Sequence, residues 1–341
     1  MELPKGEAEI RHQDKIMLFG SCFAENIGRR LVENKFRCDV NPYGILYNPY
    51  SIIRALTEIK ECRTYTKEDL FEADGIWHSW MHHSSFSAPT AEECLANING
   101  RIVRAHEELK QADWLLITWG TAYYYKLKET GKVVANCHKQ PDRLFHRYAA
   151  DVDYLSNDFG FMLEDLLRIN PNLKVLFTVS PIRHAKDGMH ANQLSKATLL
   201  LALEDMVEKK FEDEELMEEG FMDVELSLYK HCHYFPAYEI MLDELRDYRF
   251  YADDMLHPST LAVDYLWECF SECCFSDGTR RTLKEWAEIR RGLEHRPFDA
   301  SSEAYRNFLT QIVLKIERMK EKLPYLDVQN ELELCQARLN R

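Results

Sequence analysis

Three short apolar runs, each ending in a small residue, constrain this chain more than anything else in it. Lys15–Phe19 runs into Gly20-Ser21, Trp114–Trp119 into Gly120, and Leu173–Val179 into Ser180-Pro181. Runs without polar alternation are typical of parallel strands covered on both faces. Between and after them lie helical patterns over roughly Ala91–Gln111, Asp158–Arg168 and Asn192–Lys210. Phe23, Ile27 and Leu31 make an apolar stripe directly after Ser21, and Ala24 and Gly28 beside it allow close approach to a sheet. Strand-helix alternation of this kind implies an α/β fold around an open, mostly parallel sheet. Sites in such sheets lie at the carboxyl ends of the strands. Ser21, Gly120 and Ser180 are therefore expected to converge.

The chain has 341 residues and 45% hydrophobic content, enough for a large core. Its formal net charge of −14 repels phosphate backbones and anionic lipid surfaces, so nucleic-acid and membrane partners are not expected. No apolar run reaches the roughly 20 residues that span a bilayer. Met1–Gly6 lacks the apolar core of a signal peptide, and the ten cysteines form no CxxC pair. Reduced thiols and a cytoplasmic location are the expectation. Cys269, Cys273 and Cys274 fit a buried helix face, and Glu204–Glu225 fits a solvated acidic helix. In residues 301–341, Phe308, Ile312 and Ile316 recur at helical spacing. The expected division is a main domain over 1–290 and a helical extension over 291–341 packing on it.

Ser21 follows a buried strand and opens a helix. Unpaired N–H groups and the helix dipole favour negative charge there. The residue either caps the helix or serves as a nucleophile assisted by its own N–H. Asp254 and His257 stand three residues apart in Asp253-Asp254-Met255-Leu256-His257-Pro258. One loop can present both, with the carboxylate fixing the imidazole tautomer. The plainer alternative is that Asp254 caps the following helix. Cys22 is expected to face the packed interior. His82 and His83 are more often structural than cleft-lining. Arg183 and His184, just beyond a strand end, are either cleft residues or part of a buried ion pair.

Six blocks carry a resemblance. They are Gly20-Ser21-Cys22-Phe23-Ala24, the stretch from Asn41 to Pro49, Thr118–Ala122, Asn136–Lys139, Val179–His184, and Asp254–Pro258. In this order they resemble the GSCFA family, a bacterial branch of the SGNH/GDSL hydrolase superfamily, from about residue 15 to about residue 275. The resemblance implies a three-layer α/β/α, flavodoxin-like fold and esterase chemistry that needs no metal and no cofactor. It implies that Ser21 is the nucleophile, that Asp254 and His257 form the acid-base pair, and that the N–H groups of Ser21 and Gly44 bind the oxyanion. The superfamily also uses an asparagine after the third strand, and Gly120-Thr121-Ala122 has none. Thr121 or Asn136 is the expected substitute. Asn48, His83, Asn136, Arg183 and His184 are candidate cleft residues.

The implied substrate is a small-molecule or carbohydrate ester. An O-acyltransferase would use the same residues, and a weakened hydrolase fold would serve as a binding protein. A metal hydrolase would draw on His82, His83, His184, His190, His231 and His233, but no HExxH or Cys/His spacing supports it.

Overall fold

A computed structural model describes residue 3, residues 8–218 and residues 229–340. β1 (Lys15–Gly20) and α1 (Cys22–Glu33) are joined by Ser21 alone, and β2 (Arg37–Val40) and α2 (Pro49–Lys60) follow. An antiparallel hairpin of β3 (Leu70–Ala73) and β4 (Ile76–Ser79) precedes α3 (Ala91–Lys110) and β5 (Trp114–Trp119). Then come β6 (Tyr123–Leu127), β7 (Val133–Val134) and β8 (Phe145–Ala149), which form a separate antiparallel sheet. The series continues with α4 (Val152–Ile169), β9 (Lys174–Val179), α5 (Met189–Glu218), β10 (Cys232–Tyr234) and the single turn α6 (Ala237–Glu239). It closes with α7 (Thr260–Cys274), α8 (Asp277–Glu294), α9 (Glu303–Lys322) and α10 (Gln329–Leu339).

The central sheet has the order β10-β9-β5-β1-β2, and every pairing in it is parallel. The three runs read from the sequence are its three inner strands. Because side chains alternate across a strand, each run feeds two cores. Phe19, Ile117 and Phe177 face one layer, where Ile52 and Leu56 of α2, Ile98 of α3, Phe159 of α4 and Leu199 of α5 pack. Leu18, Leu116 and Leu176 face the other, with Phe23 and Ile27 of α1 and Leu266 and Phe270 of α7. Each such side chain contributes about 1.5–3 kcal/mol when fully buried. Helices on both sides of one sheet make the three-layer α/β architecture.

The small residues on α1 do what their spacing promised. A Cβ on Gly28 would stand 2.7 Å from Cγ1 of Val40, so glycine lets α1 lie directly against β2. β2 and β10 have no counterpart in the sequence reading. They are the edge strands, short and only partly buried, so they lack a continuous apolar run. α4 starts at Val152, earlier than its apolar pattern, because Asp151 caps it by accepting the N–H groups of Asp153 and Tyr154. Part of the expected acidic helix belongs to α5; residues 219–225 lie outside the described residues.

Cys269, Cys273 and Cys274 are buried on α7. Cys22 does not follow expectation. It is only half-buried, with Sγ 3.9 Å from the Tyr47 hydroxyl, because the first residue of α1 sits at the rim of the sheet. The last three helices enclose a core of their own around Trp286, Ile312, Ile316 and Met319. Phe308 lies at the edge of that region and stays partly exposed. The expected division between residues 290 and 291 falls inside α8. Among the described residues, no helix is long and apolar enough to cross a membrane.

Candidate active site

Ser21 occupies the one-residue step between β1 and α1. Its backbone is extended and its Oγ accepts the Phe23 N–H at 3.3 Å, the geometry of a helix N-cap. The same hydroxyl donates to Ser180 Oγ at 3.0 Å. Ser180 follows β9, where its N–H bonds the Trp119 carbonyl and its Oγ also accepts the Ile182 N–H. Strand ends that the sequence expected to converge thus meet through a pair of hydroxyls.

Beneath them lies a group the sequence reading missed. Lys196 of α5 is fully buried, and its Nζ donates to the carbonyls of Gly120 and Ser180, each at 2.6 Å. These are the first residues beyond β5 and β9, so one ammonium ties the two strand ends together. Burial pushes the Lys196 amine down to about 7. A signal for it existed in the sequence. Asn192, Ser195, Lys196, Leu199, Ala202, Leu203 and Met206 share the buried face of α5, and a lysine inside such a stripe needs an internal partner.

The second half of the site is the loop before α7. Asp254 Oδ1 accepts the N–H groups of Leu256 and His257, at 2.9 and 3.0 Å, and closes a tight turn. Its Oδ2 lies 2.5 Å from His257 Nδ1. The His257 and Leu256 N–H groups, then the His257 ring, hold the Asp254 carboxyl down to about 2. An ionised carboxylate can only accept, so Nδ1 carries the proton and Nε2 is the ring's basic nitrogen. Asp254 does not cap α7; Ser259 does, by accepting the Ala262 N–H. Met255, inside the turn, takes a left-handed φ of 61°, a strain that the two bonds to Asp254 offset.

Arg183 joins the halves. Its N–H donates to the Leu256 carbonyl, and its guanidinium donates to the Tyr251 hydroxyl at 2.7 Å and reaches the Met255 carbonyl at 3.5 Å. The guanidinium also lies over the Tyr251 ring, 4.3 Å from its centre. Among the described residues Arg183 forms no ion pair; it clamps the Asp254–His257 loop onto the segment that carries Ser180. No hydrogen bond joins Ser21 directly to His257, since the Ser21 hydroxyl is turned to Ser180.

The sequence matches the GSCFA family over residues 15–270 and the C-terminal domain of GSCFA domain proteins over residues 286–341. The chain belongs to the GSCFA family. No curated protein matches it. Other residues expected to act in this GSCFA chain are placed by the stretch from Asn41 to Asn48, which crosses the carboxyl ends of β1 and β5. The Leu46 N–H bonds the Gly20 carbonyl there, and the Tyr47 carbonyl takes the N–H groups of both Gly120 and Thr121.

Two expected oxyanion donors are therefore corrected. The Gly44 N–H is committed to the Asn41 carbonyl at 2.8 Å, and the Thr121 N–H to Tyr47 at 2.9 Å. The Thr121 hydroxyl is engaged as well, with Ser195 Oγ and the Tyr123 N–H. Gly44 is instead required by shape. Its φ is 78°, and a Cβ there would lie 2.2 Å from the Cβ of His83.

Asn48 caps α2 through the Ser51 N–H, Asn136 accepts the His138 N–H, and His83 accepts the Ser85 N–H. All three are local turn and cap devices. His184 does border the site. Its ring stands edge-on to Tyr47, and its Nε2 is buried beside Gly120 without an aligned hydrogen bond. Burial first, then the nearby Lys196, lowers the His184 imidazole to about 4, so it is neutral at neutral pH. Among the described residues, no three His, Cys, Asp or Glu side chains cluster as a metal site. A groove of about 1210 Å³ among α1, α7 and α8 contains none of these residues.

Proposed function

We propose that this GSCFA protein is a serine ester hydrolase of the SGNH type, acting on a small-molecule or carbohydrate ester. The observation that carries the reading is the Asp254–His257 pair, a tautomer-fixed imidazole on a loop clamped by Arg183 to the segment that hydrogen-bonds Ser21. A nucleophilic hydroxyl needs such a base, and the base needs such an acid.

Catalysis starts with Ser21 Oγ turning from Ser180 toward His257 Nε2. Oγ attacks the ester carbonyl as Nε2 takes its proton, and the carbonyl π pair becomes the oxyanion. The positive end of α1, whose N-cap is Ser21, stabilises that charge. Collapse of the intermediate expels the alcohol, which takes the proton back from His257. A water activated by the same nitrogen then releases the acid.

A fluorophosphonate probe tests this on the purified protein. The expected result is a single adduct on Ser21, absent in Ser21→Ala. Wild-type protein that forms no adduct on Ser21 overturns the reading.

A further inference from the structure

The reaction just described leaves its oxyanion short of donors. Residues 120–122 supply no asparagine, and the N–H groups of Gly44 and Thr121 are already spent on carbonyls. A different carboxamide stands on the other side of the nucleophile's strand. Asn41 directly follows β2, which pairs with β1, so it lies at the carboxyl end of the sheet. Its Oδ1 accepts the N–H of Gly20, the residue before Ser21, at 3.0 Å.

That bond fixes which end of the amide is which. An N–H can only donate, so the atom facing Gly20 is oxygen and the other is the NH2 group. Nδ2 of Asn41 is buried and has no hydrogen-bond partner. A buried donor without a partner is uncommon and calls for an explanation.

The Asn41 backbone is held equally firmly. Its N–H bonds the Leu18 carbonyl, its carbonyl accepts the Gly44 N–H, and its φ of 46° is left-handed. Asparagine tolerates that conformation better than most side chains. A rigid, desolvated donor on a side chain bonded to the residue before the nucleophile suits the stabilisation of developing charge.

We propose that Asn41 Nδ2 donates a hydrogen bond to the oxyanion formed when Ser21 attacks, replacing the asparagine missing after β5. The inference rests on Ser21 being the nucleophile. As the Ser21 Oγ–carbon bond forms and its proton passes to His257, the carbonyl π pair moves onto oxygen, and Asn41 meets that oxygen. Asn41 makes no covalent bond.

Asn41→Asp separates this role from a structural one. A carboxylate keeps the acceptor for the Gly20 N–H, loses the donor and adds a negative charge beside the developing oxyanion, so the rate is read together with the structure of the phosphonylated wild type. The expected result is a fall of about 100- to 1000-fold in the rate of Ser21 phosphonylation, with the thermal midpoint retained. Equal rates for wild type and Asn41→Asp overturn the Asn41 donor while leaving Ser21 as nucleophile. Failure of wild type to react overturns both.

Should Asn41→Asp not fold, a crystal structure of the phosphonylated wild type decides. A phosphonyl oxygen hydrogen-bonded to Asn41 Nδ2 supports the proposal, and one bound only by other donors overturns it.

Discussion

The two halves of the site are built in opposite ways. Ser21 and Ser180 are 1% and 0% exposed, and Lys196 lies beneath them, all on strand ends or a helix packed against the sheet. The side chains of Asp254 and His257 are 46% and 45% exposed, on a surface loop closed by its own backbone bonds and clamped by Arg183. Charge in the buried half is tied into the fold, because a buried ammonium needs internal acceptors. In the exposed half water can solvate either side chain, so their pairing contributes little to folding and serves orientation. Rate and stability should therefore come apart between the halves.

The sharpest break is Asp254→Asn. The amide no longer fixes the His257 tautomer, and the phosphonylation rate should fall about 10,000-fold. The urea midpoint should stay within error of wild type. A matching loss of stability would show that the exposed loop supports the fold after all.

Lys196→Met attacks the other half. The carbonyls of Gly120 and Ser180 lose their donor while remaining buried, and relief from burying an ammonium offsets part of the cost. A net loss of about 2 kcal/mol is expected by urea titration. Unchanged stability would mean that this tie is dispensable.

Proton linkage sharpens the same variant. Lys196 titrates near 7 when folded and near 10.4 when unfolded, so between these values the unfolded chain binds more protons. Wild type should therefore gain stability relative to Lys196→Met as pH rises from 7 to 9, by at most about 1.4 kcal/mol per pH unit. A difference that is flat with pH would place the folded titration elsewhere.

Arg183→Lys tests the clamp and should have the smallest effect. Lysine cannot bond the Tyr251 hydroxyl and the Met255 carbonyl in one plane, so the His257 loop loosens. The phosphonylation rate should drop about tenfold with little change in probe affinity. A loss of affinity at unchanged limiting rate would make Arg183 a ligand contact instead.

What could be read in advance follows from the range of the forces involved. β1, Ser21 and α1 were legible because a buried run, a cap and a helical stripe are all contiguous in the chain. The Asp254–His257 turn was legible for the same reason, since its hydrogen bonds span only two or three residues. The convergence of Ser21 with Ser180 needed only parallel strands side by side. The edge strands β2 and β10 were not legible, because a strand covered on fewer sides carries no unbroken apolar pattern.

By itself, then, the sequence determined an α/β sheet with a serine at its carboxyl edge and an Asp-His turn late in the chain. Only the tertiary structure decided which polar groups near that serine are already bonded. The Tyr47 carbonyl takes the Thr121 N–H across 74 residues, Lys196 reaches back to Gly120 across 76, and Asn41 is left with a donor and nothing to meet it. A hydrogen bond has no signature in either partner alone when the chain between them must fold before the two can meet.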